Sequence, residues 1–285
     1  MANYLILSVL VLLFFAVVAC AVVFYLGLHG YFRHNRKVFR ADLAWNECGP
    51  TPLGEKGYTP QGLTWAGGRL IFANCWKNTR SRVYEFDPES MECLRHFDMP
   101  EEAVHTSGLA WDGSRLWAVD YISNSGYCID LEESLACGQA QLYGRFETTL
   151  RGTSACCLLP WDGRQVLAIS DYRNSRRTMF IRPDEALAAG TAKDAIEFVY
   201  YNEGFSQGLE FIGGFLFEAE NKRGCDRINQ LDLKRLLETA SARAATVWQY
   251  AAPNGGVEDL AWDGERLWTS DEVHFRFYCG KLLLE

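Results

Sequence analysis

The feature that most constrains the fold is a two-strand motif that the chain repeats five times. Four copies read GLTWAGGRLIFAN (62–74), GLAWDGSRLWAVD (108–120), GLEFIGGFLFEAE (208–220) and DLAWDGERLWTSD (259–271), and LLPWDGRQVLAIS (158–170) is a divergent fifth. In each copy two alternating apolar runs flank an Asp-Gly or Gly-Gly turn, a pattern typical of a tight β-hairpin. The aromatic residues before the turns recur at intervals of 46, 50, 50 and 51 residues, and they are Trp65, Trp111, Trp161, Phe211 and Trp262.

A repeat of about 50 residues filled with short strands is typical of a β-propeller, in which each repeat forms one four-stranded blade. In the first repeat the outer two strands are predicted at residues 82–86 and 93–97. Helical segments are predicted at 184–193 and 233–242, between the outer strands of blades three and four. The sequence therefore predicts an all-β fold, a five-bladed β-propeller that spans residues 57–285.

The last repeat is short, because only 23 residues follow Trp262. They can form a second and a third strand but not a fourth. An unpaired sheet edge invites aggregation, so we expect a strand within residues 38–45 to complete the last blade.

The N-terminal segment has a different character, since residues 4–28 form a run of 25 residues without a charge. This run is long enough to cross a bilayer, and no basic residue precedes it as in a secretory signal. We predict a transmembrane helix within residues 1–30 and a basic juxtamembrane segment with the closing strand at 31–56. The basic residues that follow the run are Arg33, Arg36, Lys37 and Arg40. By the positive-inside rule they favour a cytoplasmic propeller, with a periplasmic or extracellular one as the alternative.

The net charge indicates which partners to expect, and the cysteine content indicates the redox state of the thiols. The net charge of −8 argues against a nucleic-acid partner, which requires a basic surface. Ten cysteines without a CxxC motif favour reduced thiols, with a disulfide such as Cys128–Cys137 as the alternative. The expected partners are the membrane and a small-molecule or peptide ligand.

In a propeller the start of each first strand and the end of each second strand lie at the same mouth of the central channel. The repeats bring polar side chains to that mouth, and they are Gln61, Asn74, Ser107, Asp120, Ser154, Ser170, Asp171, Gln207, Glu220, Glu258 and Asp271, with His105 just before Ser107. Three interpretations are open. The oxygens bind a hard cation such as Ca²⁺, or they bind a substrate amine or amide, or they are neutralised by the nearby cations Lys77, Arg173, Arg176 and Arg223.

One position breaks the repeat. Seven residues after the aligned aromatic, blade four has Glu218, whereas the other copies have Phe72, Ala118, Ala168 and Thr269. A carboxyl group in this otherwise uncharged position is expected to be partly buried with a raised pKa, which suits a general acid/base. The structural alternative is an ion pair with Arg227.

The segment FSQGLEFIGGFLFEAENKRGCDRINQLDL (205–233) resembles a blade of the propeller-type glutaminyl cyclotransferases, and TPQGLTWAGGRLIFANCW (59–76) resembles another. The resemblance implies a five-bladed propeller that cyclises N-terminal glutamine to pyroglutamate and releases ammonia. It places the acid/base glutamate at Glu218 and the Gln-Gly-Leu motif at 207–209. For that reaction, we expect a channel amide such as Asn74 or Gln61 to hold the carbonyl oxygen. The chain departs from the family pattern at 219–221, where Ala-Glu-Asn replaces Ser-Thr-Gly, and at 223–224, where Arg-Gly replaces Tyr-Gly.

Two other functional classes fit the same pattern. A metal-dependent propeller similar to lactonases or strictosidine synthase would bind its cation with channel carboxylates and amides, although those folds usually have six blades. A non-catalytic propeller would present the same mouth to a ligand or a protein.

Overall fold

The computed structural model describes residues 14–21, 39–41, 43–52, 57–221 and 226–282. The chain divides into two compact units, Met1–Val38 and Phe39–Glu285. In the first unit, residues 14–21 are helical and exposed. Within the described residues, no helix has both the length and the apolar character that a membrane span requires. The described part thus does not support the predicted transmembrane helix, and the rest of residues 4–28 lies outside it.

The second unit contains five sheets of antiparallel strands, one of which gains an additional parallel strand. Strands β1 (Phe39–Ala41) and β2 (Trp45–Pro50) come first in the chain. Blade one is formed by β3 (Tyr58–Ala66), β4 (Arg69–Trp76), β5 (Arg80–Phe86) and β6 (Cys93–Asp98). Blade two is formed by β7 (Thr106–Trp111), β8 (Leu116–Asp120), β9 (Ser125–Asp130) and β10 (Gln141–Glu147).

The other three blades repeat this order. Blade three is formed by β11 (Thr153–Trp161), β12 (Arg164–Asp171), β13 (Arg177–Ile181) and β14 (Ile196–Tyr201). Blade four is formed by β15 (Phe205–Ile212), β16 (Phe215–Asn221), β17 (Arg227–Asp232) and β18 (Thr246–Ala251). Blade five is formed by β19 (Val257–Trp262), β20 (Arg266–Asp271) and β21 (Arg276–Lys281), with β2 as its outer strand.

The first strands of the blades contact one another in a closed ring, from β3 through β7, β11, β15 and β19 back to β3. Apolar side chains from neighbouring blades fill the space between them, as Leu109 and Phe97 do between blades one and two. The predicted five-bladed β-propeller is therefore confirmed.

A strand from the N-terminal side closes the ring, but not the one expected. The closing strand is β2, which pairs antiparallel with β21, so that Trp45 lies opposite Gly280. The expected region, 38–45, instead supplies β1, which pairs parallel with β18 and adds a fifth strand to blade four. The strands β18 and β21 thereby each gain a pairing strand on their outer side.

Helices lie between the third and fourth strands of three blades. They are α1 (Leu131–Cys137) in blade two, α2 (Pro183–Ala189) in blade three, and α3 (Leu233–Thr239) and α4 (Ala242–Ala245) in blade four. The helices of blades three and four fall within or next to the predicted segments, whereas α1 was not predicted. Its N-cap, Asp130, accepts the N–H of Glu133 at 3.0 Å, the same interaction that Asp232 makes with Arg235 at the start of α3.

Blade three departs from the expected register. Thr106 and Thr153 occupy equivalent positions before a β-bulge, so Trp111 corresponds to Leu158 rather than to Trp161. The residue equivalent to Ala118 is then Ile169, not Ala168. The alignment by turns was wrong because the first hairpin of blade three extends further past its bulge than that of blade two.

Candidate functional site

We call the end of the channel where the first strands begin and the second strands end the upper mouth. Each first strand has a β-bulge there, occupied by Gln61, Ser107, Ser154, Gln207 and Glu258. The matching ends of the second strands are Asn74, Asp120, Asp171, Glu220 and Asp271. The strand registers thus bring the predicted polar residues to equivalent positions at this mouth.

Three of the second-strand carboxylates bind the backbone of nearby loops. Asp120 accepts N–H groups from His105 at 2.5 Å, Ile122 at 3.0 Å and Ser123 at 2.7 Å. Asp171 accepts the N–H of Arg176 at 3.0 Å, and Asp271 accepts that of Val273 at 2.9 Å. These buried side chains organise the loops between second and third strands, which is sufficient reason for an aspartate at these positions.

The fourth carboxylate, Glu220, is fully buried and forms an ion pair. Its Oε2 lies 2.6 Å from Nε of Arg227, and its other oxygen accepts the N–H of Gly204. Arg227 also reaches Glu203 at 3.4 Å. Asn74, at the equivalent position of blade one, donates weakly to the carbonyl of Pro52 at 3.5 Å.

The bulge residues form two amide-containing pairs at the upper mouth. Oε1 of Gln61 lies 2.8 Å from Nε2 of His105, whose pKa is lowered to about 4 by burial, so the imidazole is neutral at pH 7. Nε2 of Gln207 donates to Oε1 of Glu258 at 3.1 Å. Burial, followed by the charge of Glu272, raises the pKa of Glu258 well above its ordinary value. These two pairs therefore present hydrogen-bond donors and acceptors at the mouth.

Half-buried aromatic rings border these pairs. The ring of His105 lies 5.1 Å from that of Tyr121, and the ring of Tyr172 lies 5.2 Å from that of Phe205. The predicted neutralising cations lie over such rings, with Lys77 over Trp76, Arg173 over Tyr172 and Arg176 over Phe205. Arg223 lies outside the described residues.

Glu218 is fully buried in the middle of β16, opposite Leu209 and Asn229. Burial, followed by the charge of Glu220, raises its pKa well above the ordinary range. The nearby hydroxyl of Ser206 partly opposes this rise in pKa, because it favours the ionised form. Neither carboxylate oxygen, however, meets the geometry of a hydrogen bond with any described residue. The alternative pairing with Arg227 is not formed, because Arg227 bonds to Glu220 instead.

Asp259 is a central residue that the sequence patterns did not single out. It stands where three other copies have Gly62, Gly108 and Gly208, and its side chain is fully buried within the ring. Its two oxygens accept four backbone N–H groups, those of Leu63 at 3.0 Å, Leu109 at 3.1 Å, Leu209 at 3.2 Å and Leu260 at 3.0 Å. Burial raises its pKa, and these four donors oppose that effect. The replacement of the repeat's glycine by an aspartate is the sequence signal that could have identified this residue.

All of the described cysteines are free thiols. Cys128 is buried, Cys137 is exposed, and both are free thiols, so the alternative disulfide is not formed. In the described ranges, no three His, Cys, Asp or Glu side chains are grouped so as to hold a metal ion.

The sequence matches no family model and no curated protein. Among solved structures, the chain is similar to the glutaminyl cyclase of Myxococcus xanthus, with a TM-score of 0.61 and 14% identity over 87% of this chain and 100% of that one. A chain of a mitotic checkpoint complex gives a TM-score of 0.46 and 12% identity over 81% of this chain and 76% of that one. The first likeness, at this identity, is one of fold. The protein is thus a five-bladed β-propeller with the fold of a glutaminyl cyclase.

Proposed function

We propose that this propeller catalyses a cyclotransferase-like acyl transfer at its upper mouth, with Glu218 moving the proton. The observation that carries the proposal is the fully buried carboxyl group of Glu218, whose oxygens have no hydrogen-bond partner among the described residues. Apart from the nearby hydroxyl of Ser206, no described side chain engages this group, and burial raises its pKa well above the ordinary value, as in a general acid/base. The fold likeness to a glutaminyl cyclase and the Gln-Gly-Leu motif at 207–209 support the same reaction.

The chemistry requires one proton to move. The α-amine of an N-terminal glutamine attacks its own γ-amide carbonyl, so a C–N bond forms and the amine loses a proton. The original amide C–N bond then breaks, and the nitrogen leaves as ammonia after it gains a proton. One carboxyl group balances both steps, because it donates its own proton to the leaving nitrogen and takes up the proton that the amine loses.

The upper mouth offers groups for the remainder of the substrate. The amides of Gln61 and Asn74 can hold the carbonyl oxygen, and the Gln207–Glu258 pair can bind the amine. Because Glu218 is fully buried, the proposal requires that Ser206 and Gln207, which lie nearer the mouth on β15, move aside to admit the substrate.

The test is turnover of a peptide with N-terminal glutamine, followed by ammonia release and by mass spectrometry of the cyclised product. Glu218→Gln is expected to lower kcat by about 100-fold or more, since it cannot transfer a proton. The matched control is Glu85→Gln in the outer part of blade one, where a buried glutamate is paired with Arg69 and Arg95. This control should lose stability but keep its turnover. Unchanged turnover in Glu218→Gln would refute the assigned role, and no turnover by the wild type would refute the reaction.

The carboxylates of Asp120, Asp171 and Asp271 favour a second candidate function, a non-catalytic ligand-binding propeller. These three carboxylates accept hydrogen bonds from the backbone of nearby loops, so fewer groups at the upper mouth remain available for catalysis. Calorimetry with the same peptide separates the two candidates. Binding without ammonia release supports the second one.

We also propose that the N-terminal run of residues 4–28 anchors the protein in a membrane, with the propeller on the cytoplasmic side. The absence of charge in the run and the basic residues after it support this arrangement. Fractionation after alkaline carbonate extraction tests the anchor, and protease protection of the propeller tests the side. Release into the soluble fraction would contradict the anchor.

A further inference from the structure

The opposite end of the channel holds a cavity of about 110 Å³. We call it the lower cavity. All five first strands contribute to its lining, and the residues that matter here are Trp65, Trp111, Cys157, Leu158, Glu210 and Trp262. It lies among the residues that precede the hairpin turns, whereas the groups proposed for the acyl transfer lie at the other end or deep between blades.

The repeat builds this cavity from aromatic and small residues, with one exception. Glu210 occupies the position at which the other first strands have Thr64, Ala110, Cys157 and Ala261. It is the one ionisable carboxyl group among the described residues of the lining. Its Oε1 accepts the N–H of Phe211 at 2.9 Å, and its Oε2 accepts that of Trp262 at 3.2 Å. Each oxygen has two lone pairs, so both retain capacity to interact with a ligand in the cavity.

No basic side chain is found among the described lining residues. Burial raises the pKa of Glu210 to about 8, and backbone donors oppose the shift only in part. Two titratable groups on the packed strands interact with Glu210, and they are Cys157 and the more deeply placed Cys156. Burial raises the pKa of both thiols well above the ordinary value. Asp259, further up the channel, interacts with the same two thiols. The cavity therefore contains a carboxyl group that lacks a counter-charge.

We propose that the lower cavity binds an organic ammonium head group, with Glu210 as its counter-ion and the three tryptophans as its walls. Indole rings attract cations through their π faces, and they cover the apolar substituents of an alkylated ammonium. A bare metal ion fits less well, because one carboxylate cannot replace its hydration shell. The volume equals roughly four water molecules at ~30 Å³ each, which suits a group such as trimethylammonium.

The binding experiment uses the full chain and two probes of nearly equal shape. Choline carries the charged trimethylammonium group, and 3,3-dimethylbutan-1-ol replaces its nitrogen with carbon. Calorimetry and tryptophan fluorescence are expected to show saturable binding of choline, with the neutral compound weaker by about tenfold or more, because it lacks the charge. Equal affinity for the two compounds, or no saturable binding of choline, would overturn the proposal.

Two variants locate the site. Glu210→Gln is expected to weaken choline binding by about tenfold or more. Its control, Glu265→Gln, removes an exposed carboxylate beside Lys281 and should bind as the wild type does. If Glu210→Gln does not fold, Trp111→Leu replaces it, with Trp161→Leu as the control because Trp161 packs on Phe180 and Phe198 instead. Choline affinity retained in both Glu210→Gln and Trp111→Leu would place the binding elsewhere and overturn the assignment.

The pH dependence adds a signature that loss of structure would not give. A cation favours the ionised form of Glu210, so choline affinity should rise between pH 6 and pH 9, around the pKa of about 8, with release of a proton on binding. The affinity of Glu210→Gln should be flat over that range. A flat profile in the wild type would contradict the role of Glu210 as counter-ion.

Discussion

The carboxylate of Asp259 accepts the backbone N–H of Leu63 at 3.0 Å and so joins the last blade to the first inside the ring. The same oxygen accepts the N–H of Leu109, and the other oxygen accepts those of Leu209 and Leu260. The inner edge of a first strand has no neighbouring strand, so its N–H groups need another acceptor. One side chain therefore satisfies four strand edges from four blades.

Replacement of this carboxylate should destabilise the whole propeller. In Asp259→Asn one acceptor oxygen becomes an NH₂ group, so two backbone N–H groups face a donor. We expect a loss of about 2–4 kcal/mol in the free energy of unfolding, since each buried unpaired group costs ~1–3 kcal/mol. Urea denaturation at pH 7 measures it. Asp162→Asn, at an exposed turn, is the control and should change little. Equal stability of the two variants would contradict the central role of Asp259.

The glycines of the repeat allow neighbouring first strands to approach closely. A Cβ on Gly108 would lie 2.7 Å from the Cα of Ala155, a backbone atom of the next blade. Gly108→Ala should therefore lower the stability by about 1–3 kcal/mol through overpacking. Gly255→Ala, whose Cβ would meet nothing within 4 Å, is the matched substitution. Thermal unfolding compares them, and similar melting temperatures would show that the ring tolerates wider spacing.

Local patterns predicted the blades, but not the pairing of distant segments. The hairpins could be derived because the period-two alternation and the turn residues lie within a few positions of each other. The closing strand was placed too early, since nothing local distinguishes Trp45–Pro50 from Phe39–Ala41 as the partner of β21. Blade three was misaligned because strand lengths on either side of a turn are set by packing.

The candidate site was predictable in position and much less so in role. The repeat register placed Asp120 and its equivalents at one mouth. A carboxylate that binds loop N–H groups, however, has the same sequence signature as one that binds a ligand. The loop conformation, which sequence patterns do not give, decides between the two. The exceptions to the repeat were more informative, because Glu210, Glu218 and Asp259 each place a carboxyl group where equivalent residues are uncharged.

The buried carboxyl group of Glu218 should make stability depend on pH. Its folded pKa is raised far above the ordinary value of ~4.3, so the folded protein retains a proton that the unfolded chain releases at neutral pH. Its contribution is fully present below pH ~4 and is lost as pH rises, by up to ~1.4 kcal/mol per unit. Glu218→Gln does not titrate, so its stability relative to wild type should increase from pH 5 to pH 8. Denaturation at the two pH values tests this, and a constant difference would contradict a raised pKa.

A thiol pair at the ring closure should be sensitive to oxidation. Cys48 on the closing strand donates a hydrogen bond to Cys279 on β21, with the sulfur atoms 3.1 Å apart. That bond, assisted by the charge of Arg266, lowers the pKa of Cys279 to about 7, so a large fraction is thiolate at neutral pH. With oxidised glutathione, the thiolate of Cys279 attacks the disulfide and releases one glutathione. Cys48 then displaces the second, which leaves a Cys48–Cys279 disulfide.

This disulfide would fix the closing strand to the last blade, and we expect it to add about 2–4 kcal/mol to the free energy of unfolding. Thiol titration of the denatured protein after the treatment should show the loss of two thiols, and peptide mapping should identify the bridge. Cys48→Ser should abolish both the bridge and the gain in stability, whereas Cys93→Ser, on an exposed part of β6, should preserve them. Full recovery of the Cys48 and Cys279 thiols after the treatment would contradict a pair poised for oxidation.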